Sequence, residues 1–292
     1  MEKEIKRYLE WKGTYATRAS VSYKLWLDKF IEACGNKKLQ SYSIEDFVKF
    51  KHWLEGRYSS TSVQYAIIVV KNFFQFYKQQ DYRCLSTHFI KIPPKIRKSH
   101  KAISESEFKR VVEKIDAKNF IGLRDSLIVH LLWDTGIRVS ELCDMNISQI
   151  DENKTSMIIR SKKSQLFRTI VWSAKTHALL LNYLKKRQVL KKCKEVGAVF
   201  VGFRKGREWS LRITCRSIER MIKKYVAIAE IREKISPHSF RHGWAHKRRD
   251  FNAPLAFIQK GLGHVSPIST FIYEQYNDKE FEANANSYLS NN

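Results

Sequence analysis

Thr135-Gly-Ile-Arg-Val-Ser-Glu-Leu142 is the most informative stretch of this 292-residue chain, because it sets an arginine and a carboxylate at the start of a helix. The apolar residues from Leu123 to Trp133 predict a buried helix before it, and Gly136 permits a close turn between the two helices. Glu141 follows Arg138 by three residues, so both side chains lie on one helix face. The carboxylate is therefore placed to hold the guanidinium in position.

The residues that follow predict a mixed unit of strands and helices. Met157-Ile-Ile159 and Thr169-Ile-Val171 are rich in β-branched residues and lie on either side of a polar turn from Ser161 to Leu166, a pattern typical of a β-hairpin. Val199-Phe-Val201 is a candidate edge strand. From Leu211 to near Gln275 the spacing of apolar residues predicts a largely helical segment.

The residues before position 93 predict a small, entirely helical unit. Apolar and aromatic residues recur at helical spacing from Thr17 to Ala33, from Ser43 to Leu54, and after a helix start at Ser60-Thr-Ser62. A short helix from Glu2 to Trp11 can precede them. We therefore expect a helical bundle in residues 1–92.

A basic linker separates this bundle from the rest of the chain. Lys91-Ile-Pro-Pro-Lys-Ile-Arg-Lys-Ser-His-Lys101 contains two prolines, which forbid helix continuation, and five mutually repelling lysines and arginines. Ser104-Glu-Ser-Glu107 is a capping-box sequence that starts a new helix. The sequence therefore predicts a first domain at residues 1–92, a linker at 93–102 and a second domain at 103–292. The linker is either a phosphate-contacting segment or an ordinary solvated loop.

The composition indicates a partner with many negative charges. Lysine and arginine number 54 against 29 aspartates and glutamates, which gives a formal net charge of +25. Such a surplus is typical of nucleic-acid-binding proteins, although a solubilising, lysine-rich surface has the same composition. The five scattered cysteines include no Cys-x-x-Cys pair, which favours reduced thiols and argues against a zinc ribbon. With no signal peptide and no apolar run of bilayer length, we expect a soluble cytoplasmic protein.

Three further motifs follow the Arg138 helix at a distance. They are His238-Ser-Phe-Arg241, Leu262-Gly-His264 and, nine residues after that histidine, Tyr273. Together with Arg138 they resemble the catalytic motifs of the tyrosine recombinases, the phage-integrase and Xer-type family. In that family two arginines, two histidines, a lysine in a β-hairpin and a nucleophilic tyrosine surround one DNA phosphate. The resemblance covers most of residues 101–280.

The resemblance implies a role for each of these residues. Arg138 and Arg241 would stabilise the charge that develops on the phosphate, a task that a planar guanidinium performs better than an ammonium group. His238 would act as a base or as a hydrogen-bond donor to the phosphate, and His264 would hydrogen bond to the transition state. Tyr273 would attack phosphorus and form a 3′-phosphotyrosine, which conserves the bond energy without nucleotide or metal.

Two assignments within the resemblance have rivals. Ser161-Lys162-Lys163-Ser164 offers two hairpin lysines as the general acid for the departing oxygen, and it lacks the two glycines that commonly flank this lysine in the family. Arg168 sets the family register on Lys163, which we favour over the preceding lysine. Both lysines are otherwise simple turn charges. Tyr276, one helical turn beyond Tyr273, is the rival nucleophile.

A metal site is the competing interpretation of the histidines. His238, His242 and His246 recur at a four-residue spacing that can bind zinc. No glutamate follows His238 as in the His-Glu-x-x-His motif, and Arg241 would repel a dication, so we expect neither a metal nor another cofactor. In the family a histidine directly after this arginine is common, and His242 is predicted, with Glu141, to support the active site.

Candidate DNA contacts lie in both predicted domains and in the linker. Residues Ser210 to Lys224 predict a basic amphipathic helix, and the resemblance implies that it enters the major groove. The N-terminal bundle resembles, in size and pattern, the core-binding domain of the family. Solvated helix faces and loops would carry the same basic residues. The candidates are Arg18, Ser22, Lys24, Lys29, Lys95, Arg97, Lys98, Arg212, Thr214, Arg216 and Arg220.

These features predict a mainly α-helical protein with a small β-hairpin, folded as a two-domain clamp on duplex DNA. The resemblance implies a site-specific DNA recombinase in which four protomers act on two DNA sites and exchange their C-terminal tails, residues 279–292. An accessory DNA-bending protein or a partner recombinase is a further candidate partner. The alternatives are a topoisomerase with the same tyrosyl chemistry on a single duplex, and a DNA-binding protein without catalysis. We expect no membrane association.

Overall fold

The computed structural model describes residues 1–14, 17–88, 90–93, 101–161, 165–189, 197–204, 207–271 and 273, and for residues 17–19, 203–204 and 207–210 it describes the backbone only. The chain forms two compact units, an N-terminal unit at Met1–Ser99 and a C-terminal unit at His100–Asn292. Within the described residues, no helix is both long enough and apolar enough to cross a membrane.

The described residues of the N-terminal unit form four α-helices around an aromatic core. The helices, α1 to α4, span Glu2–Gly13, Thr17–Cys34, Ile44–Leu54 and Ser60–Lys78. Phe30, Phe50, Phe73 and Phe74 are fully buried, and their rings meet edge to face, as Phe30 and Phe50 do with centroids 5.1 Å apart. Burying these large apolar rings is the main source of stability in this unit. All the helices predicted for these residues are present.

Helix starts in the N-terminal unit follow the sequence signals. The backbone N–H of Ser43 donates to Asp46 Oδ2 at 3.0 Å, which caps α3. Ser59 Oγ accepts the backbone N–H of Ser62 at 3.3 Å and caps α4. Apolar residues at helical spacing then place one face of α4 in the core. The buried residues of this face include Val63, Ile67, Val70, Phe74 and Tyr77.

The described part of the C-terminal unit contains eight α-helices and two β-hairpins. The helices, α5 to α12, span Glu105–Glu113, Phe120–Thr135, Val139–Asp144, Ala174–Val189, Cys215–Ile228, Pro237–Asp250, Leu255–Leu262 and Ile268–Phe271. The strands, β1 to β4, span Ser156–Arg160, Phe167–Val171, Val201–Arg204 and Arg207–Arg212, and β1 pairs with β2 and β3 with β4, both antiparallel. The buried helix α6 packs against α8 and α10. The prediction of a mainly α-helical fold with a small β-sheet is confirmed.

Two local predictions for the C-terminal unit match the structure. The backbone N–H of Ser104 donates to Glu107 Oε2 at 2.7 Å, and the N–H of Glu107 donates to Ser104 Oγ at 3.2 Å. This reciprocal pair is the capping box that starts α5. The β1–β2 hairpin has the predicted strands, with Ile158 opposite Thr169 in the register.

The predicted basic helix begins later than expected. Residues Ser210 to Arg212 belong to β4, so the prediction of helix there is wrong. The helix α9 starts at Cys215, and its N-cap is Thr214, whose Oγ1 accepts the backbone N–H of Ser217 at 3.2 Å. These residues form a strand because pairing with β3 satisfies the backbone hydrogen bonds of β4. The spacing of apolar residues within a segment does not show that a partner strand lies elsewhere in the chain.

Candidate active site

Arg138 lies at the turn between α6 and α7. Gly136 ends α6 in the left-handed conformation, with φ 57°, and a Cβ there would lie 3.0 Å from the Trp244 ring, so the turn requires glycine. The backbone N–H of Arg138 donates to Glu141 Oε2 at 3.0 Å, and its Nη1 donates to Glu141 Oε1 at 2.9 Å. The predicted contact between Arg138 and Glu141 is therefore present at the start of α7.

Glu141 is buried and is shared with a second arginine. Arg168 on β2 donates from Nη1 to Glu141 Oε1 at 3.0 Å and from Nη2 to Glu141 Oε2 at 2.7 Å. Burial raises the pKa of the Glu141 carboxyl, but the hydrogen bonds and charges of Arg168 and Arg138 outweigh burial and hold this pKa below its usual value. An ionised carboxylate thus lies between two guanidinium groups.

Arg241 lies on α10 and is only 5% exposed. Its Nη1 donates to the carbonyl oxygen of Gly136 at 2.8 Å, and its Nη2 donates to that of Leu262 at 2.5 Å. Burial, and then the charges of Arg138 and Arg168, lower the pKa of Arg241 to about 9, so its guanidinium stays protonated at neutral pH. Arg241 therefore ties the turn before Arg138 to the end of α11.

The loop that ends α11 brings a third predicted residue to the same place. The carbonyl oxygen of Gly263 accepts Arg138 Nη2 at 3.4 Å. His264 follows directly, and its Nδ1 lies 2.8 Å from the hydroxyl oxygen of Thr270. Burial lowers the pKa of His264 to about 4, and the charges of Arg241 and Arg138 contribute to this shift. His264 is therefore a neutral imidazole at pH 7.

Tyr273 is buried beside α10. Its hydroxyl oxygen lies 3.0 Å from His242 Nδ1, and its ring lies between those of His242 and His246, with centroid separations of 5.5 and 5.6 Å. Burial raises the pKa of the Tyr273 phenol, and the positive charges of Arg241 and Arg138 offset part of this rise. The hydroxyl thus faces a histidine nitrogen and lies within the field of both arginines.

Of the remaining predicted active-site residues, one lies on α10 and the others lie outside the described part of the chain. His238 is exposed in the first turn of α10. Ser161, the last described residue before the tip of the β1–β2 hairpin, is buried, and its Oγ lies 3.4 Å from Arg138 Nη1. The base of the hairpin turn therefore adjoins Arg138. The predicted residues outside the described part of the chain are Lys162, Lys163 and Tyr276.

The histidines of α10 were also a candidate metal site. Among the residues that the structure describes, no group of three or more histidines, cysteines, aspartates and glutamates is placed to hold a metal ion. His242 and His246 lie against the Tyr273 ring instead.

The candidate DNA contacts of the C-terminal unit divide into two groups. Arg216 and Arg220 are exposed on α9. Arg212 donates to the carbonyl oxygens of Cys143 and Met145 at 2.8 and 3.2 Å and to Asn146 Oδ1 at 2.5 Å, so it braces β4 against the end of α7. Thr214 is the N-cap of α9, as described above.

Two of the basic candidates in the N-terminal unit, Lys24 and Lys29, have intramolecular partners. Lys24 forms an ion pair with Asp28 at 2.6 Å, and Lys29 lies over the rings of Trp53 and Tyr58. The backbone of Arg18 belongs to α2, and its side chain is outside the description. The linker candidates Lys95, Arg97 and Lys98 also lie outside the described residues.

Sequence reasoning did not place three further residues in this cluster. Arg168 served only to set the register of the hairpin lysine, Thr270 was not singled out, and His246 was considered only as a metal ligand. One signal was available for Arg168, because it alternates with exposed residues on β2 and therefore points into the core. A buried arginine requires a partner, and Glu141 is that partner.

Comparison with known proteins identifies the class. The chain belongs to the phage integrase family, whose sequence profile matches residues 101–280. It is similar to the tyrosine recombinase XerA of Pyrococcus furiosus, with 30% identity over 285 residues that cover 96% of this chain and 90% of that protein. It is also similar to the tyrosine recombinase XerC of Thermodesulfovibrio yellowstonii, with 29% identity and coverage of 86% and 83%.

Solved structures agree with this assignment. A crystal structure of XerA recombinase matches over 98% of both chains with 30% identity and a TM-score of 0.56. The Tn1549 transposon integrase in complex with a circular intermediate DNA matches over 98% of both chains with 14% identity and a TM-score of 0.80. XerH recombinase bound to a palindromic difH substrate matches 98% of this chain with 18% identity and a TM-score of 0.77, and 84% of that chain is covered. The last two likenesses concern the fold alone.

Proposed function

We propose that this chain is a site-specific DNA recombinase that cleaves and rejoins duplex DNA through a 3′-phosphotyrosine at Tyr273. The observation that carries the proposal is the convergence of Arg138 and Arg241 on the adjacent carbonyl oxygens of Gly263 and Leu262, directly before His264. The similar proteins of Pyrococcus and Thermodesulfovibrio are tyrosine recombinases by name, which supports the same reaction here.

The two arginines supply the charge that phosphodiester cleavage requires. A phosphodiester carries one negative charge, and attack at phosphorus places more charge on its non-bridging oxygens. Arg138 and Arg241 are both positively charged, and both are held by short or buried hydrogen bonds that fix their position. Little reorganisation is then needed as the transition state forms.

The covalent step transfers the phosphoryl group and two protons. The phenolic oxygen of Tyr273 attacks phosphorus, the bond to the 5′ oxygen breaks, and the DNA 3′ phosphate becomes esterified to the tyrosine. The phenolic proton passes to a histidine, either His238, as the resemblance implies, or His242, whose Nδ1 lies 3.0 Å from the hydroxyl. Lys163 protonates the departing 5′ oxygen. A 5′ hydroxyl of a partner strand reverses these transfers and reseals the DNA.

We also propose which surfaces of the protein contact DNA. Arg216 and Arg220 are exposed on α9 and would enter a groove of the duplex, and the linker lysines and arginine would add phosphate contacts. Double-stranded DNA is the partner, and four protomers act on two sites. The C-terminal tail, residues 279–292, passes to a neighbouring protomer, and an accessory DNA-bending protein or a partner recombinase completes some assemblies.

Covalent trapping tests the proposed function. A duplex is first selected from a random-sequence pool for binding to full-length Tyr273→Phe protein, and it is then nicked so that cleavage releases a short fragment. Wild-type protein should remain attached to the 3′ phosphate on a denaturing gel, and Tyr273→Phe should form no adduct while it still binds DNA. Tyr276→Phe is the matched control and should form the adduct. The proposal fails if Tyr276→Phe abolishes the adduct and Tyr273→Phe does not, or if wild-type protein relaxes plasmids without the selected site.

A further inference from the structure

Arg168 forms two hydrogen bonds to the Glu141 carboxylate from one side. It lies on β2, is 6% exposed, and donates from Nη1 to Oε1 at 3.0 Å and from Nη2 to Oε2 at 2.7 Å. Two parallel hydrogen bonds between a guanidinium and a carboxylate fix the plane of the carboxylate as well as its position. Arg168 therefore determines how Glu141 is oriented.

Arg138 approaches the same carboxylate from the other side. Glu141 Oε1 accepts Arg138 Nη1 at 2.9 Å, and Oε2 accepts the backbone N–H of Arg138 at 3.0 Å. Each carboxylate oxygen thus receives one hydrogen bond from each arginine. Because Arg168 fixes the plane of Glu141, it also sets where the Arg138 guanidinium lies.

The burial of Glu141 makes this arrangement depend on Arg168. Glu141 is 4% exposed, and without Arg168 its carboxylate would lose two of its four hydrogen bonds, with no water to replace them. Burial raises the pKa of Glu141, whereas hydrogen bonding and charge from Arg168, and then from Arg138, lower it. Loss of Arg168 would therefore raise this pKa, and protonated Glu141 would no longer hold Arg138 by charge.

The loop that carries His264 also lies against Arg168. A Cβ built on Gly263 would lie 2.8 Å from Arg168 Nη1, and Gly263 has φ 62°. The backbone at the residue before His264 therefore lies close to Arg168, and a residue with a side chain there would be strained by the positive φ and would displace the guanidinium. Arg168 thus binds Glu141 on α7 and lies close to Gly263 after α11, and both segments carry candidate active-site residues.

We propose that Arg168 is a positioning residue for DNA cleavage, which acts by holding Glu141 so that Glu141 sets the Arg138 guanidinium against the scissile phosphate. The inference rests on the proposed function, because Arg138 is assigned to the phosphate there. It extends that function to a residue of the β1–β2 hairpin, five positions after Lys163. Strand β2 of the hairpin thereby aligns an arginine of the candidate active site.

The experiment compares Arg168→Ala, Arg168→Lys and Glu141→Gln on the selected, nicked duplex described above. Arg168→Ala should slow adduct formation by about tenfold to a hundredfold, since misplacing a catalytic group costs this much, while binding to the intact duplex changes by less than about twofold. In the pH–rate profile of Arg168→Ala, the fall in rate on the acid side (the acid limb) should begin at a higher pH than in wild type, because the pKa of Glu141 rises. Arg168→Lys should restore the acid limb but not the rate, because an ammonium supplies charge without the planar fork.

Two comparisons separate positioning from simple support of the fold. Arg187 is also a buried arginine of the C-terminal unit, and its Nη2 donates to the carbonyl oxygen of Ala198 at 2.9 Å. Arg187→Ala should lower stability but leave the cleavage rate per folded molecule and the acid limb as in wild type. Adding Arg168→Ala to Glu141→Gln should slow cleavage no further, because both changes remove the same interaction.

Several outcomes would overturn the inference. The first is a pH–rate profile in which Arg168→Ala loses activity at the same low pH as wild type. The second is a double variant, Arg168→Ala with Glu141→Gln, whose rate is reduced by the product of the two single reductions. If Arg168→Ala does not fold, a wild-type cleavage rate in Arg168→Lys overturns the inference instead. Wild-type protein that forms no adduct overturns the proposed function and this inference with it. Normal cleavage by both wild type and Arg168→Ala overturns the positioning role alone.

Discussion

The core of the N-terminal unit and the candidate active site of the C-terminal unit bury different kinds of side chain. In the N-terminal unit the large buried residues are mostly aromatic, with Phe30 and Phe74 at the centre. In the C-terminal unit the region between α7, α10 and α11 buries charged groups, and Glu141, Arg168 and Arg241 are each at most 6% exposed. Aromatic packing is favourable by itself, whereas a buried charge is tolerated only with its partners. A substitution should therefore affect stability alone in the aromatic core of the first unit, and stability and chemistry together at these three charged residues of the second.

The largest effect is expected at Arg241. Arg241→Ala should slow adduct formation by about a thousandfold, in the range seen for removal of a preorganised donor, and should lower the unfolding free energy by about 2 kcal/mol because two buried carbonyl oxygens lose their donor. Rates on the nicked duplex and urea denaturation measure the two effects. Arg232→Ala, at an exposed arginine of the same unit, is the control and should change neither. Equal rates for both variants would contradict the assignment.

In the aromatic core of the N-terminal unit, a substitution is expected to change stability only. Phe74→Ala should lower the unfolding free energy by about 3–5 kcal/mol, as for other fully buried aromatic residues, and leave the cleavage rate per folded molecule unchanged. Chemical denaturation and single-turnover cleavage are the measurements. Val48→Ala, at a half-exposed position of α3, should cost less than about 0.5 kcal/mol. A large loss of intrinsic cleavage rate in Phe74→Ala would remove the contrast between the units.

The third prediction concerns pH. Burial, and then the arginine charges, lower the folded-state pKa of His264 to about 4, below its unfolded value near 6.5. The unfolded chain therefore binds more protons, and the stability contributed by His264 is present above pH 6.5 and is lost as pH falls towards 4. Between pH 7 and pH 5 this loss should be about 2 kcal/mol. Denaturation at both pH values should show the loss in wild type and a smaller one in His264→Asn; equal losses would contradict a lowered pKa of His264 in the folded protein.

The smallest effect is expected on the exposed face of α9. Arg216→Gln and Arg220→Gln together should flatten the dependence of log K on log salt by about 0.9 for each DNA phosphate that the protein no longer neutralises, and should leave stability unchanged. Binding titrations at several salt concentrations measure the slope. Lys154→Gln is the control, since Lys154 is exposed and pairs with Asp151 at 2.9 Å. An unchanged slope in the double variant would place this face of α9 away from DNA phosphates.

The sequence predicted those features that local patterns encode. The helices of the N-terminal unit follow from apolar spacing and from capping residues such as Ser43, and the β1–β2 hairpin follows from two β-branched runs. The meeting of Arg138, Arg241 and His264 was predicted only through the family resemblance. Their order along the chain has no physical meaning until α10 and α11 pack beside the start of α7.

Other features depend on contacts that local patterns do not contain. The β3–β4 hairpin forms by pairing between strands whose residues have no clear alternation, and it displaced the predicted start of α9 from Ser210 to Cys215. The grip of Arg168 on Glu141 joins residues 27 positions apart. The contact of Tyr273 with His242 likewise depends on the packing of the segment after α12 against α10.

The hydrogen bonds of the two arginines to the end of α11 differ in strength, and this difference has a consequence for ligand exchange. Arg241 Nη2 donates to the carbonyl oxygen of Leu262 at 2.5 Å, whereas Arg138 Nη2 lies 3.4 Å from the carbonyl oxygen of Gly263. Longer hydrogen bonds are weaker, so under the proposed function a phosphate oxygen would replace the Gly263 oxygen as the acceptor of Arg138 Nη2 at little cost. Arg138 would therefore exchange its carbonyl partner readily, as a labile ligand does, whereas Arg241 would keep its own. An arriving phosphate would exchange first at Arg138.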